Sequence, residues 1–138
     1  MKIAMVCHPT HGGSGVIASE LGMRLAKRGH EVHFVSHERP FRLDPLTFGV
    51  RFHKVHVSSY PLFRYPPYAL ALANQLSQVI QDHDIQVIHA HYAIPHSLAG
   101  ILARNMNADR NVKVMTTLHG TDITLLGSDP SYTDITRW

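Results

Sequence analysis

Long apolar runs are missing from this chain of 138 residues. No stretch approaches the roughly 20 residues that a membrane-spanning helix requires. The apolar start, Met1 to His8, is too short for a signal peptide and runs into glycines with no cleavage region. Cysteine is nearly absent. The single Cys7 cannot form an internal disulfide, which excludes a disulfide-stapled secreted scaffold and points to the cytoplasm. Cys7 itself reads as a small hydrophobe buried in a first strand. An excess of one charge is also lacking: 13 basic residues stand against 10 acidic ones. Apart from Lys27-Arg28 and the pair Arg39 and Arg42, the basic residues are scattered, so the footprint of a nucleic-acid binder is missing. There is no internal repeat and no low-complexity tract. What remains, 44% hydrophobic and 17% charged, describes one soluble globular domain with a real core. Histidine is the residue in surplus, with 12 spread through the chain.

Periodicity predicts β-α-β-β-α-β-α-β. Residues 1–8 read as a buried parallel strand. Residues 16–28 read as a helix with Ile17, Leu21 and Leu25 on its apolar stripe, ended by Gly29. Residues 31–36 alternate as a second strand, and the helix between two strands makes the sheet parallel. A proline-punctuated stretch, Pro40 to Pro45, precedes a third strand at 50–57, where the apolar register slips between Phe52 and Val55 and suggests a bulge. Residues 58–67 hold three prolines, three aromatics and Arg64, a loop expected to serve or cover a site. A second helix at 68–82 carries Ala69, Leu72, Ala73, Leu76, Val79 and Ile80 on one face. A fourth strand at 85–90, a third helix at 95–106 with Pro95 in its first turn, and a fifth strand at 112–118 follow. Asp129 or Ser131 is placed to cap a last helix, which the chain has little room to finish; a truncated piece of a longer protein is the expectation. The fold class is α/β, a Rossmann-like parallel sheet with helices on both faces.

In such a sheet every strand-to-helix loop opens on one edge, where ligands bind. That edge collects His8 to Ser14, the loop after the third strand, His89-Ala90-His91-Tyr92 and His119-Gly120-Thr121-Asp122. Gly12-Gly13-Ser14-Gly15, turning from strand into helix, directs backbone N–H groups and the positive end of a helix dipole at one spot, suited to a phosphate, carboxylate or sugar hydroxyl. The same glycines also serve a tight turn with close helix packing. The spacing is not that of a dinucleotide fingerprint, and no P-loop lysine follows. His8, His11, His89, His91, His96 and His119 could gather a metal, but they come from separate loops without cysteines and with few carboxylates, so hydrogen bonding to a polar ligand is the better reading. His30, His33, His37, His53, His56 and His83 read as surface or strand residues. Asp122 serves equally as a cap, and Arg64 either holds a carboxylate or phosphate in a bidentate grip or is merely solvated.

Taken together, Lys2 to Pro9 with Gly12 to Gly15, the segment Glu20 to Val32, His89-Ala90-His91-Tyr92 and His119-Gly120-Thr121-Asp122 resemble the N-terminal domain of the retaining, nucleotide-sugar-dependent glycosyltransferases of family 4, which have the GT-B architecture. Two longer segments, Ser58 to Phe63 and His119 to Tyr132, narrow the resemblance to members that transfer N-acetylglucosamine from UDP-N-acetylglucosamine (UDP-GlcNAc) to L-malate in bacillithiol biosynthesis. The resemblance implies two Rossmann-like domains facing a cleft. Residues 1–138 would be the acceptor-side domain, and the nucleotide-sugar domain would lie outside this chain, which alone should be inactive. It also implies reaction on the front face of the sugar without a metal or a protein nucleophile. That agrees with the lack of a carboxylate pair suited to double displacement.

Residue by residue, the resemblance assigns Gly13 and His119 to the donor, with His119 also the catalytic-site residue. Ser14, Arg64, Tyr92 and Thr121 go to the acceptor, with Tyr60 as a further candidate. A transferase with another acceptor, a non-catalytic α/β ligand-binding module and a histidine-based metal protein remain as other readings. A homo-oligomer is compatible with the sequence.

Overall fold

The computed structural model describes residues 1–44 and 46–138; Pro45, the end of the proline-punctuated stretch, lies outside the described residues. Five strands, β1 (Lys2–Val6), β2 (Glu31–Ser36), β3 (Val50–Lys54), β4 (Val87–His91) and β5 (Lys113–Thr117), form one parallel sheet in the order β3-β2-β1-β4-β5. The helices α1 (Ser14–Lys27), α2 (Tyr68–His83) and α3 (Leu98–Met106) connect them, and a short α4 (Thr133–Arg137) ends the chain. The expected element order is therefore observed. Strand order reverses between β1 and β4, which opens a crevice at the carboxyl ends of those two strands.

β1 and β2 are covered on both faces and buried along nearly their whole length; β1 is apolar after Lys2, while β2 also buries the polar His33 and Ser36. On one face Ala4, Val6, Val35 and Ile88 meet Leu72, Leu76 and Ile80 of α2 and Ala99 and Ala103 of α3. On the other, Met5, Val32 and Phe34 meet α1. A polar clamp joins α2 to the end of α3: Asn107 Nδ2 donates to Ser77 Oγ at 2.9 Å, and Gln81 Nε2 donates to Asn107 Oδ1 at 3.0 Å.

Four local expectations change. Of the Ile17, Leu21 and Leu25 stripe on α1, Leu21 and Leu25 pack half-buried against the core but Ile17 is exposed, and the fully buried residues are Ser14, Gly15, Ala18, Ser19, Gly22 and Ala26. Close approach to the sheet explains this, because a Cβ on Gly22 would lie 2.4 Å from Phe34 Cζ. The third strand does not bulge: Val50 to Lys54 pair in unbroken register with Val32 to Ser36, and the strand then ends. Pro95 does not open α3. It follows a cis Ile94–Pro95 peptide in the kinked segment Ala93–Ser97, where Ile94 is extended (φ −120°, ψ 132°), and α3 begins at Leu98. Neither Asp129 nor Ser131 caps α4, whose first flanking residue is Tyr132; the Asp129 carboxylate instead accepts the Ser131 N–H at 2.8 Å.

Candidate functional site

The N-terminus of α1 opens at the end of β1 without a side-chain cap, so its first-turn amides are available to a ligand. The glycines there differ in purpose. Gly15 permits close packing: a Cβ would lie 2.6 Å from the Thr10 carbonyl oxygen and 2.7 Å from that of His8. Gly13 takes φ +56° and ψ −126°, a conformation that favours glycine. Gly12 has neither reason, since its φ is not in the left-handed range and a Cβ would meet nothing within 4 Å. Ser14, the first helical residue, is buried.

Across the crevice, β4 persists through His91, so His89 and His91 share one face with ring centroids 4.7 Å apart. His91 Nδ1 lies 2.9 Å from His119 Nε2 of the neighbouring loop. Tyr92, at φ +84°, turns its ring against His119 (4.9 Å between centroids) and edge-on to His8 (5.3 Å). Thr121 Oγ1 donates to the Tyr92 hydroxyl at 3.3 Å. His8 and His96 are also in contact, at 4.3 Å. The loops after β1, β4 and β5 thus meet through His8, Tyr92, His119 and Thr121.

Asp122 braces this arrangement. Its fully buried carboxylate accepts the His119 N–H at 3.0 Å and the Ala93 N–H at 3.2 Å, joining the loops after β5 and β4. Of the two roles the sequence offered, capping and chemistry, the contacts describe bracing. Arg64 and Tyr60 are not joined to this cluster: both are exposed on the 58–67 loop, where Arg64 lies over the Tyr65 ring and Tyr60 packs edge-on to Phe63.

The site is rich in uncharged imidazoles. Burial, then repulsion from His89 and His119, lowers His91 to about 4. Burial and neighbouring His8 take His96 down to about 3, against the opposing effect of the hydrogen bond from its Nδ1–H to the His91 carbonyl. Burial also lowers His8 and His89. These rings offer hydrogen bonds rather than positive charge at neutral pH. His91 Nε2 and His96 Nε2 are buried without a partner. Cys7 beneath them is pushed up to about 12 by burial and is not a nucleophile.

The metal-like juxtaposition lies elsewhere. Among the described residues, the one triple of His, Cys, Asp or Glu side chains with donor atoms all within 4.8 Å is His33, His53 and His83. These three read from the sequence as surface or strand residues. Only strand register and helix placement bring them together.

A sequence model described as Glycosyltransferase Family 4 matches residues 11–138. The chain belongs to that family. All 138 residues align at 49% identity with N-acetyl-alpha-D-glucosaminyl L-malate synthase of Bacillus anthracis, and the chain spans 36% of that protein's length. Two solved structures share the fold. A glycosyltransferase from Rickettsia africae ESF-5 matches at TM-score 0.59 and 20% identity over 86% of this chain and 29% of its own. Sucrose-phosphate synthase from Thermosynechococcus elongatus matches at 0.62 and 16% over 97% and 38%. The family and these neighbours agree with the Rossmann-like sheet of GT-B glycosyltransferases. No described helix is long and apolar enough to cross a membrane.

Proposed function

We propose that this chain is the acceptor-side domain of a retaining glycosyltransferase that moves N-acetylglucosamine from UDP-GlcNAc to the hydroxyl of L-malate. The observation that carries the reading is the 49% identity over the whole chain to a protein named for that activity. The crevice between β1 and β4 is chemically compatible with it. The uncapped start of α1, with the backbone of Gly13 and with Ser14, suits the donor phosphates or a malate carboxylate. His119, paired with His91 and supported by the Asp122 brace, is suited to hydrogen-bond the donor sugar close to the reacting carbon. Tyr92 and Thr121 present hydroxyls for the acceptor. Arg64 offers a charge-assisted grip on malate if its exposed loop folds over the crevice, with Tyr60 beside it.

On this reading no metal takes part, the leaving phosphate assists removal of the malate proton, and the nucleotide-sugar domain lies outside these residues, so that this chain alone does not turn over. The cytoplasm is the expected compartment. The test is incubation of the full-length gene product with UDP-GlcNAc and L-malate without added metal, followed by mass spectrometry. Glycosyl-malate is expected. Transfer to another acceptor in preference to malate would overturn the acceptor assignment, and failure to use any nucleotide sugar would overturn the reading as a whole.

A further inference from the structure

The His33, His53 and His83 cluster lies at the edge of the sheet opposite the crevice and has no part in the proposed reaction. His33 is the third residue of β2, on the same face as Val35, which belongs to the core under α2. His53 pairs with Val35 in the β2–β3 register and so shares that face. His83 is the last residue of α2, which runs back over the amino ends of the strands. The His33 ring is 4.5 Å from that of His83 and 5.1 Å from that of His53, and the His53 and His83 rings are 5.2 Å apart.

Three features distinguish this group from histidines that merely fill space. First, a carboxylate orients the buried member: Glu31 Oε1 accepts from His33 Nε2 at 3.1 Å. That bond fixes the proton on Nε2 and leaves Nδ1 with a free lone pair, as in the carboxylate–histidine–metal arrangement. Second, this lone pair faces His53 Nε2 at 2.9 Å, inside the group, while His83 makes no hydrogen bond among the described residues. Third, two of the rings are held neutral and ready to bind a cation. Burial and mutual repulsion lower His33 to about 4, and burial followed by repulsion from His83 lowers His53. His53 and His83 are partly exposed, which gives an ion a way in.

We propose that His33, His53 and His83 form a binding site for a divalent first-row transition ion, zinc being the expected occupant, which clips the C-terminal end of α2 to β2 and β3. A set of three imidazoles suits zinc and leaves a fourth position for water. On binding, the ion takes the place of the hydrogen between His33 Nδ1 and His53 Nε2, and the single ring proton of neutral His53 moves from Nε2 to Nδ1 by exchange with water. Zinc–nitrogen bonds of about 2.0–2.1 Å in tetrahedral geometry set the nitrogens about 3.3 Å apart, so this pair opens by a few tenths of an ångström. The role is structural, and the proposal does not depend on the identity of the substrates.

The test uses tag-free full-length protein stripped with a chelator, titrated calorimetrically with zinc chloride and, separately, with cobalt(II) for its visible spectrum. One equivalent of zinc is expected to bind and raise the melting temperature, and cobalt should give the intense bands of a tetrahedral site. His53→Ala and His83→Gln should each abolish that binding. His83 ends a helix and is partly exposed, so its variant keeps the proposal testable should His53→Ala fail to fold. Glu31→Gln should weaken zinc about 10- to 100-fold. His119→Ala should leave binding intact. The proposal is overturned if the folded parent shows no saturable binding. It is also overturned if both ligand variants bind zinc as the parent does, or if His119→Ala is the variant that loses it.

Discussion

His91 Nδ1 and His119 Nε2 lie 2.9 Å apart, so one of the two nitrogens holds a proton and the other must be bare. The orientation of the His119 ring in the crevice is therefore set by a neutral, buried neighbour on β4 as much as by its own loop. In the full-length protein, His119→Ala and Thr121→Ala should reduce glycosyl transfer far more than they reduce stability. Thr121 is exposed, and its loss should cost no more than about 0.5 kcal/mol. Parallel activity and urea-denaturation measurements decide the matter. Equal loss in both would make the turn a structural element only.

Asp122→Asn should instead lower stability. The carboxylate accepts two backbone N–H groups in a fully buried position, and an amide turns one acceptor into a donor facing a donor. A loss of about 1–3 kcal/mol is expected in denaturant unfolding. A stability equal to that of the parent would show that the two loops are not joined through this side chain.

The glycine turn separates packing from ligand contact. Gly15→Ala forces a methyl against two carbonyl oxygens and should cost about 1–3 kcal/mol. Gly12→Ala meets no atom of the protein, so its melting temperature should stay close to the parent's. If a substrate lies against the turn, the same variant should raise KM for UDP-GlcNAc or for malate. Unchanged kinetic constants for both would remove Gly12 from the site.

Arg64→Ala should raise KM for malate with little change in stability, because the side chain is exposed and lies over the Tyr65 ring. A KM equal to that of the parent would exclude Arg64 from acceptor binding.

Acid should destabilise the domain before carboxylates titrate. His91 and His96 have folded values of about 4 and about 3, below the roughly 6.5 of an unfolded histidine. Between those values the unfolded chain binds more protons than the folded one, so stability falls as pH drops from about 6.5 toward about 4. It is fully present above that window. Urea midpoints across the range test this, and His96→Gln should flatten the slope. A midpoint that rises on acidification would refute the assignment.

The sheet and its order of connection were legible because β1, β2 and α2 carry unambiguous apolar patterns. So was the edge at which the glycine turn, His91-Tyr92 and His119 would meet, since a parallel sheet sends all such loops one way. The packing face of α1 was legible only in part, through Leu21 and Leu25. Its buried residues are small, and their meaning depends on the size of Phe34 on another strand. The start of α3 was hidden by the kink at Ile94 and Pro95, which local propensity does not anticipate. The histidine trio was invisible for a deeper reason: its members lie 20 and 30 residues apart, and only the register of β2 against β3 and the placement of the end of α2 bring them together.

Among the described residues, Tyr92 is the one non-glycine residue of the crevice held at a positive φ, +84° with ψ 141°, where glycine is far more comfortable. Such a conformation costs on the order of 1–3 kcal/mol. Glycine at this position would relax the chain but delete the ring that touches His8 and His119. Position 92 is therefore where selection for a sturdier molecule and selection for a working crevice pull in opposite directions, and a screen that rewards thermal tolerance alone should drift away from tyrosine there.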